Sequence, residues 1–335
     1  MLRFAVRRLL AAIPVLLVAS ALTFVLVDRA VDPIESLRVR QPPVPAATIE
    51  ARQHELYLDR PVVDRYWLWL TGIGDTHGDI GLLRGHWGPS ARGLDLGAEV
   101  RDRFLVTLRL VGAALVLSVG LALVTGSLAA KRRGSRTDRA ILLVGALGLA
   151  VPTFWLATLL KEVGVWVNER VGARLISTVG ATAADHDQLS LVGKVGDIAG
   201  HLVLPTIALV VGAHAVLVRH HRAAMVEALA SDHVRLARAK GLTERQVLRR
   251  HALRNALIPL TNVASLLVMG ALTGAVIVEQ TFRWRGMGTF LLDSVGASDP
   301  FGVLAFLVVA AAVVVVAGLV ADLLTAWLDP RIRGG

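Results

Sequence analysis

The chain of 335 residues has no cysteine. Disulfides, thiol nucleophiles and thiolate-bound metals are therefore excluded. Charge is scarce as well: Asp, Glu, Lys and Arg make up 19% of the residues, against 54% hydrophobic. Three chemical motifs are also missing. No GxxxxGK[ST] occurs; the nearest match, LVGKVGD at 191–197, is preceded by Gln188 where the loop needs glycine. HELYL at 54–58 begins like a zinc-protease motif but ends in Leu58 rather than histidine. GxSxG is absent, which argues against a serine hydrolase. Nothing here predicts catalysis, a cofactor or a metal on this chain.

What is present is apolar length. The mean hydropathy is +0.60, and soluble domains of this size rarely average so high. Six stretches approach the ~20 apolar residues that cross a bilayer: 9–27, 104–130, 139–160, 201–218, 256–278 and 302–326. Each must be helical, because lipid gives the backbone no hydrogen-bond partner. The expectation is an all-α polytopic membrane protein of six helices. MLRFAVRR before the first stretch resembles the start of a secretory signal. However, Leu9–Val27 is long for a signal core, so a retained span is expected.

The net charge of +10 would suggest nucleic acid in a soluble protein. In a membrane protein it follows from basic inward-facing loops, and no nucleic-acid partner is expected. Placing the N-terminus in the cytoplasm puts KRRGSRTDR (131–139), the loop 219–255 and the tail 330–335 on the same side. The segment 28–100 offsets its arginines with acids such as Asp28, Asp32, Asp59 and Asp79, as an outward segment does. The expected layout is a first helix 1–27, an extracytoplasmic segment 28–100, a transmembrane domain 101–329 and a tail 330–335. The expected location is the plasma (inner) membrane, crossed several times, with both ends in the cytoplasm. Within 28–100, ATIEARQHELYL reads as an amphipathic helix, and Tyr66, Trp67 and Trp69 as an interfacial aromatic belt. Residues 162–200 read as a second outer segment with little periodicity.

The histidines His214, His220, His221, His233 and His251 are expected to be solvated or phosphate-facing rather than metal ligands, since His220 and His221 diverge on a helix. Arg109, Lys161, Glu162, Glu279 and Asp322 all lie near predicted span ends, where snorkelling accounts for them. No acid occupies the centre of a span, which disfavours a proton-coupled carrier.

One stretch departs from the rest: SDHVRLARAKGLTERQVLRRHALRNALIP, Ser231–Pro259. Ser231 or Asp232 suits a helix N-cap. Gly241 suits the C′ position of a helix ending near Lys240, and Thr243 with Gln246 forms a capping-box pattern. Helix, glycine break and helix are predicted, with small apolar residues among the charges, as suits a groove on a partner protein.

This stretch resembles the EAA loop of ABC-importer permeases. Arg235, Leu236 and Ala237 take the Glu-Ala-Ala positions, Gly241 the glycine, and His251 and Leu253 the Ile and Leu. The acid is missing at Arg235, and Arg254 stands where the family often has proline. ARAKGLTERQVLRRHALRNALIP, HELYLDRPVVDRYWLWL, VEQTFRWRGMGTFLLDSVGASDP and DLLTAWLDPRIR resemble the subfamily that imports dipeptides and oligopeptides, of the first-permease type. Arg285 departs from the proline common after that tryptophan.

The resemblance implies the type I importer permease fold and a transport subunit that is no enzyme. Ser231, Asp232, Val234, Arg235, Leu236, Ala237, Arg238 and Gly241 would form a coupling helix docked on a cytoplasmic ATPase. The implied partners are a second homologous permease, two ATPase subunits or domains that carry ATP and Mg, an extracytoplasmic peptide-binding protein and membrane lipid. The same machine with nickel, glycoside or haem-like cargo remains an alternative, as does a stand-alone secondary transporter.

Overall fold

A computed structural model describes residues 2–39, 41–75 and 78–329, without the side chains of Leu2 and Ser36. The tail 330–335, and His77 of the outer segment, lie outside the described residues. The chain is almost wholly helical and divides into two units. Three long helices contribute residues to both: α1 (Leu2–Ala30), α5 (Leu96–Lys131) and α13 (Pro300–Leu328).

The smaller unit comprises residues 11–107 and 285–312. It holds α2 (Glu35–Arg38), α3 (Ala46–Glu55), α4 (Val62–Thr71) and α12 (Met287–Gly296). A two-stranded antiparallel hairpin pairs β1 (Ile80–Gly81) with β2 (His86–Trp87). Its core gathers Phe24, Leu68, Trp69, Ile80, Phe290 and Leu304. Phe24 meets Trp69 at 5.5 Å between ring centroids. Arg65 pairs with Asp28, and the hydroxyl of Ser90 donates to Asp299 at 2.7 Å. The segment after α1 is thus folded around a true core. Two expectations change. Trp69 is a core residue rather than part of an interfacial belt, and only Trp67 of that pair is exposed. α3 is helical as the sequence suggests, but none of its residues is buried; Leu56 and Tyr57, which follow it, carry the anchoring.

The larger unit comprises residues 2–10, 108–284 and 313–329 among those described. It holds α6 (Arg136–Ala150), α7 (Thr153–Val171), α8 (Leu191–Ala230), α9 (Asp232–Ala239), α10 (Glu244–Val247) and α11 (Leu253–Phe282). α8 packs against α6, α7 and α11. At 40 residues it is about 60 Å long, twice the hydrocarbon thickness of roughly 30 Å. It therefore absorbs part of what the sequence suggested was an aperiodic outer segment.

Among the described residues five helices are long and apolar enough to cross a membrane, or six if one bent pair is a single span. The bent pair is α6 and α7, at 96°. The sequence suggests one continuous span at 139–160, and the structure breaks it. Pro152 has no N–H to continue the ladder and drives the preceding residue out of the helical region. Val151 is accordingly extended at φ −83° and ψ 120°, and Pro152 becomes the N-cap of α7.

α6 is held to α8 by charge. Asp138 accepts from Arg222 Nε at 2.6 Å and Nη2 at 2.7 Å, and also from the Gly134 N–H at 2.8 Å. Asp138→Asn removes one partner from this largely buried pair. The expected cost is ~3 kcal/mol, read as a lower melting temperature in detergent; a variant that melts like the parent would show the pair to be idle.

Candidate functional site

The stretch 231–259 forms the structure its local signals require. Ser231 has N-cap backbone geometry, at φ −70° and ψ 152°. Its hydroxyl, however, donates to the Ala228 carbonyl rather than capping α9. At the other end Gly241 sits at φ +80°. The Leu242 N–H donates to the Ala237 carbonyl and the Gly241 N–H to that of Arg238. These are the two bonds of a Schellman motif, and the left-handed φ is why glycine stands there. Thr243 and Gln246 complete the capping box that opens α10. Across the turn, Arg238 donates to both carboxylate oxygens of Glu244, at 2.8 and 3.3 Å. That contact holds the guanidinium above its ordinary pKa, so it stays charged.

The faces of α9 divide sharply. Val234 and Ala237 are buried against Met225 and Ala228 of α8, Val247 of α10, and Ala252 and Ala256. They attach α9 to its own chain, so they offer no surface to a partner in this conformation. Their i, i+3 spacing is the signal that would have assigned them inward. The exposed face carries Asp232, Arg235, Leu236, Arg238 and Lys240, with Leu236 57% exposed. Arg235 and Asp232 pair at 3.3 Å on that face.

Three features escaped the sequence. Leu248–Ala252 winds as a π-helical turn between α10 and α11; no residue type marks such a turn in advance. Arg254 donates from Nε to the Leu328 carbonyl at 3.1 Å, closing the end of α13. His233 Nε2 lies 3.0 Å from Asn255 Nδ2, tying α9 to α11.

The histidines divide differently from expectation. His220 is exposed and bonds the Val216 carbonyl, whereas His221 is fully buried beside it. His221 reaches Ser127 at 3.0 Å, and His214 reaches Thr125 at 3.0 Å. Both cross from α8 to α5, so they are interhelical ties rather than solvated loop residues. Snorkelling fails for three of the charged residues near span ends. Lys161 donates to the Thr281 carbonyl, Asp322 pairs with Arg8 at 3.1 Å, and Glu279 is fully buried.

The overall fold is shared with a solved ABC transporter structure. It superposes on inward-facing MetNI methionine ABC transporter with a TM-score of 0.51 at 16% identity, covering 69% of this chain and 96% of that one. Residues 122–334 match the family described as binding-protein-dependent transport system inner membrane component, and residues 1–81 match its N-terminal family. Over 333 residues the chain is 38% identical to the oligopeptide transport system permease protein OppB of Mycobacterium tuberculosis (strain H37Rv), with 99% of each covered. It is 32% identical to the oligopeptide transport system permease protein AppB of Bacillus subtilis (strain 168), with 99% of this chain and 100% of that one covered. The chain belongs to the family of binding-protein-dependent transport system inner membrane components. It is a multi-pass membrane permease subunit of an ABC importer, not an enzyme.

The two faces of α9 predict opposite outcomes. Ala237→Asp buries a charge among apolar groups and should destabilise α9 locally by ~3 kcal/mol or more. Faster tryptic cleavage at Arg235, Arg238 and Lys240 would report it. Leu236→Asp should leave that cleavage rate unchanged. Equal cleavage in both variants would refute the assignment of faces.

Proposed function

We propose that this chain is one of two permeases of an ATP-driven peptide importer, and that α9 is where the ATPase pushes. Full-length similarity to two oligopeptide permeases supports the cargo. The observation that carries the coupling role is the exposed face of α9 on a helix stopped by its own motifs at both sides of Gly241. A helix bounded this way moves as a rigid piece with α8 and α11, which its buried face grips. Partner-driven rigid-body motion of that kind underlies alternating access.

In this reading α6 and α7 together make the third of six crossings, bent at Val151 and Pro152. The N-terminus lies in the cytoplasm. The basic segments 131–139 and 219–255 then face inward, and both chain ends do too. Residues 28–100 face outward, where their folded core gives a binding protein a firm surface. A second permease completes the pathway, and two cytoplasmic ATPase subunits supply ATP and Mg. Within the docking set, Asp232, Arg235, Leu236 and Arg238 would touch the ATPase. Val234, Ala237, Ser231 and Gly241 would hold the helix that presents them.

The test is reconstitution of the permeases, ATPases and binding protein in vesicles. A labelled oligopeptide should accumulate only with ATP and binding protein. Accumulation without the ATPases would refute the coupling reading, and uptake of nickel, a glycoside or haem but no peptide would move the cargo. Leu236→Asp should cut uptake about tenfold or more, as loss of a central interface anchor does, while the chain still inserts; unchanged uptake would remove α9 from the interface.

A further inference from the structure

Two cavities of the smaller unit follow each other along α1 and α13. On α1 their linings form a single stripe. Ile13, Leu16, Ser20 and Thr23 line the first cavity, and Val27 lines the second. The intervals are three or four residues, so all five share one helix face. On α13 the order is reversed, as it must be on an antiparallel neighbour. Phe301 and Leu304 line the second cavity, and Leu307, Val308 and Ala311 the first. α4 gives Trp69 to one and Leu70 to the other, and the hairpin gives Ile80 and Leu82. On each of these walls the two linings are a helical turn apart or less.

The two cavities differ in chemistry. The first, of about 260 Å³, is walled by aliphatic side chains such as Leu17, Leu70, Leu82 and Leu307. Of its two hydroxyl residues, Ser20 is already bonded to the Leu17 carbonyl and to Tyr66. The second, of about 390 Å³, falls in the size range of ligand sites, roughly 300–1,000 Å³. Buried Phe24, Trp69 and Phe301 line it, together with three arginines and two acids. Arg65 pairs with Asp28, and Arg38 with Asp32. Among the described residues the third arginine, Arg29, has no acidic partner. The cavity therefore has one positive charge to spare, at the end of α1 that leads into the segment 28–100.

We propose that the two cavities together hold one anionic phospholipid, with its phosphate at Arg29 and an acyl chain between α1 and α13. Both helices have the length and apolarity of membrane spans. The aliphatic cavity thus lies on stretches where hydrocarbon replaces water. From Ile13 to Asp28, α1 covers about 23 Å. One leaflet with its headgroup layer measures roughly 20 Å, so a single lipid matches both cavities in length. Basic pockets between membrane helices take anionic headgroups. A helix of a second permease would cover the aliphatic part and leave the charge of Arg29 unanswered. A lipid answers both. Bound there, it joins α4 and the hairpin to the two spans.

The assay uses the intact transporter complex in detergent and phosphatidylglycerol with a photoactivatable diazirine on one acyl chain. After illumination, digestion and mass spectrometry should place the label on peptides holding residues 13–23 or 307–312. Labelling should saturate, and unlabelled phosphatidylglycerol should compete it away. Phosphatidylcholine, whose headgroup has no net charge, should compete about fivefold less well. Arg29→Gln should weaken phosphatidylglycerol about fivefold and erase that preference, at the parent's melting temperature. Ala311→Trp fills the aliphatic cavity and should cut labelling about tenfold or more, again at the parent's melting temperature. Label spread evenly over the apolar helices, no competition, or equal competition by both lipids would overturn the inference. So would phosphatidylglycerol affinity unchanged in Arg29→Gln, or labelling unchanged in Ala311→Trp. Labelling that arises only when a second permease is removed would assign the cavity to that subunit, and would overturn the inference as well.

Discussion

Lipid offers no partner to a backbone N–H or carbonyl, and most of this architecture follows from that shortage. It makes helices of every apolar stretch and restricts where a helix can stop. Four prolines test the rule. Pro14, Pro205 and Pro259 sit inside α1, α8 and α11 without ending them. Pro152 ends α6. Residue type does not separate these cases, nor does exposure alone, since Pro14 and Pro259 are exposed within unbroken helices; packing accounts for Pro205. α8 and α11 pack along each other, and Pro205 is buried in its helix. α6 has no such support at its end, where the residues from Leu147 to Val151 are mostly exposed, and there the chain turns.

The same shortage explains the character of 231–252. Outside lipid, helix ends must find their own partners, and this segment does so within its own residues, by a Schellman motif and a capping box. Side-chain entropy works against it, since long charged residues dominate its surface. What outweighs that is the burial of Val234, Ala237 and Val247 against α8 and α11. Rigidity of the segment and its attachment are thus one property. On the docking reading, a load on Leu236 would pass to α8 and α11 through the buried side chains of Val234 and Ala237.

Features set by neighbours in sequence were legible, and those set by packing were not. Gly241, Thr243 and Gln246 act within a few residues, so their motifs could be read directly. The long helices were legible from apolar length alone, although α8 runs ten residues beyond the suggested span at its start. The direction of Val234 and Ala237 depended on what α8 and α11 bring beside them. The roles of His214 and His221 depended on Thr125 and Ser127, some ninety residues away. α12 was hidden because MGTFLLDSVG is too short to cross and too apolar to read as a loop.

The two departures from the loop pattern have different physical weight. Arg254 replaces a residue that has no side-chain donor, and its guanidinium closes the exposed carbonyl end of α13. The loss of a stiff proline is therefore matched by a tie between α11 and α13, and the joint remains fixed by other means. Arg235 has no such internal role. Among the described residues its one partner is Asp232, a turn away on the same exposed face, and such surface pairs contribute roughly 0–1 kcal/mol. A reversed charge that does little for its own chain is tolerable only where what lies opposite suits it. On the docking reading, the groove that receives α9 should present a carboxylate near Arg235, where a partner of the acidic version would present a base. The pattern of recognition would then be kept, with its sign exchanged between the two sides.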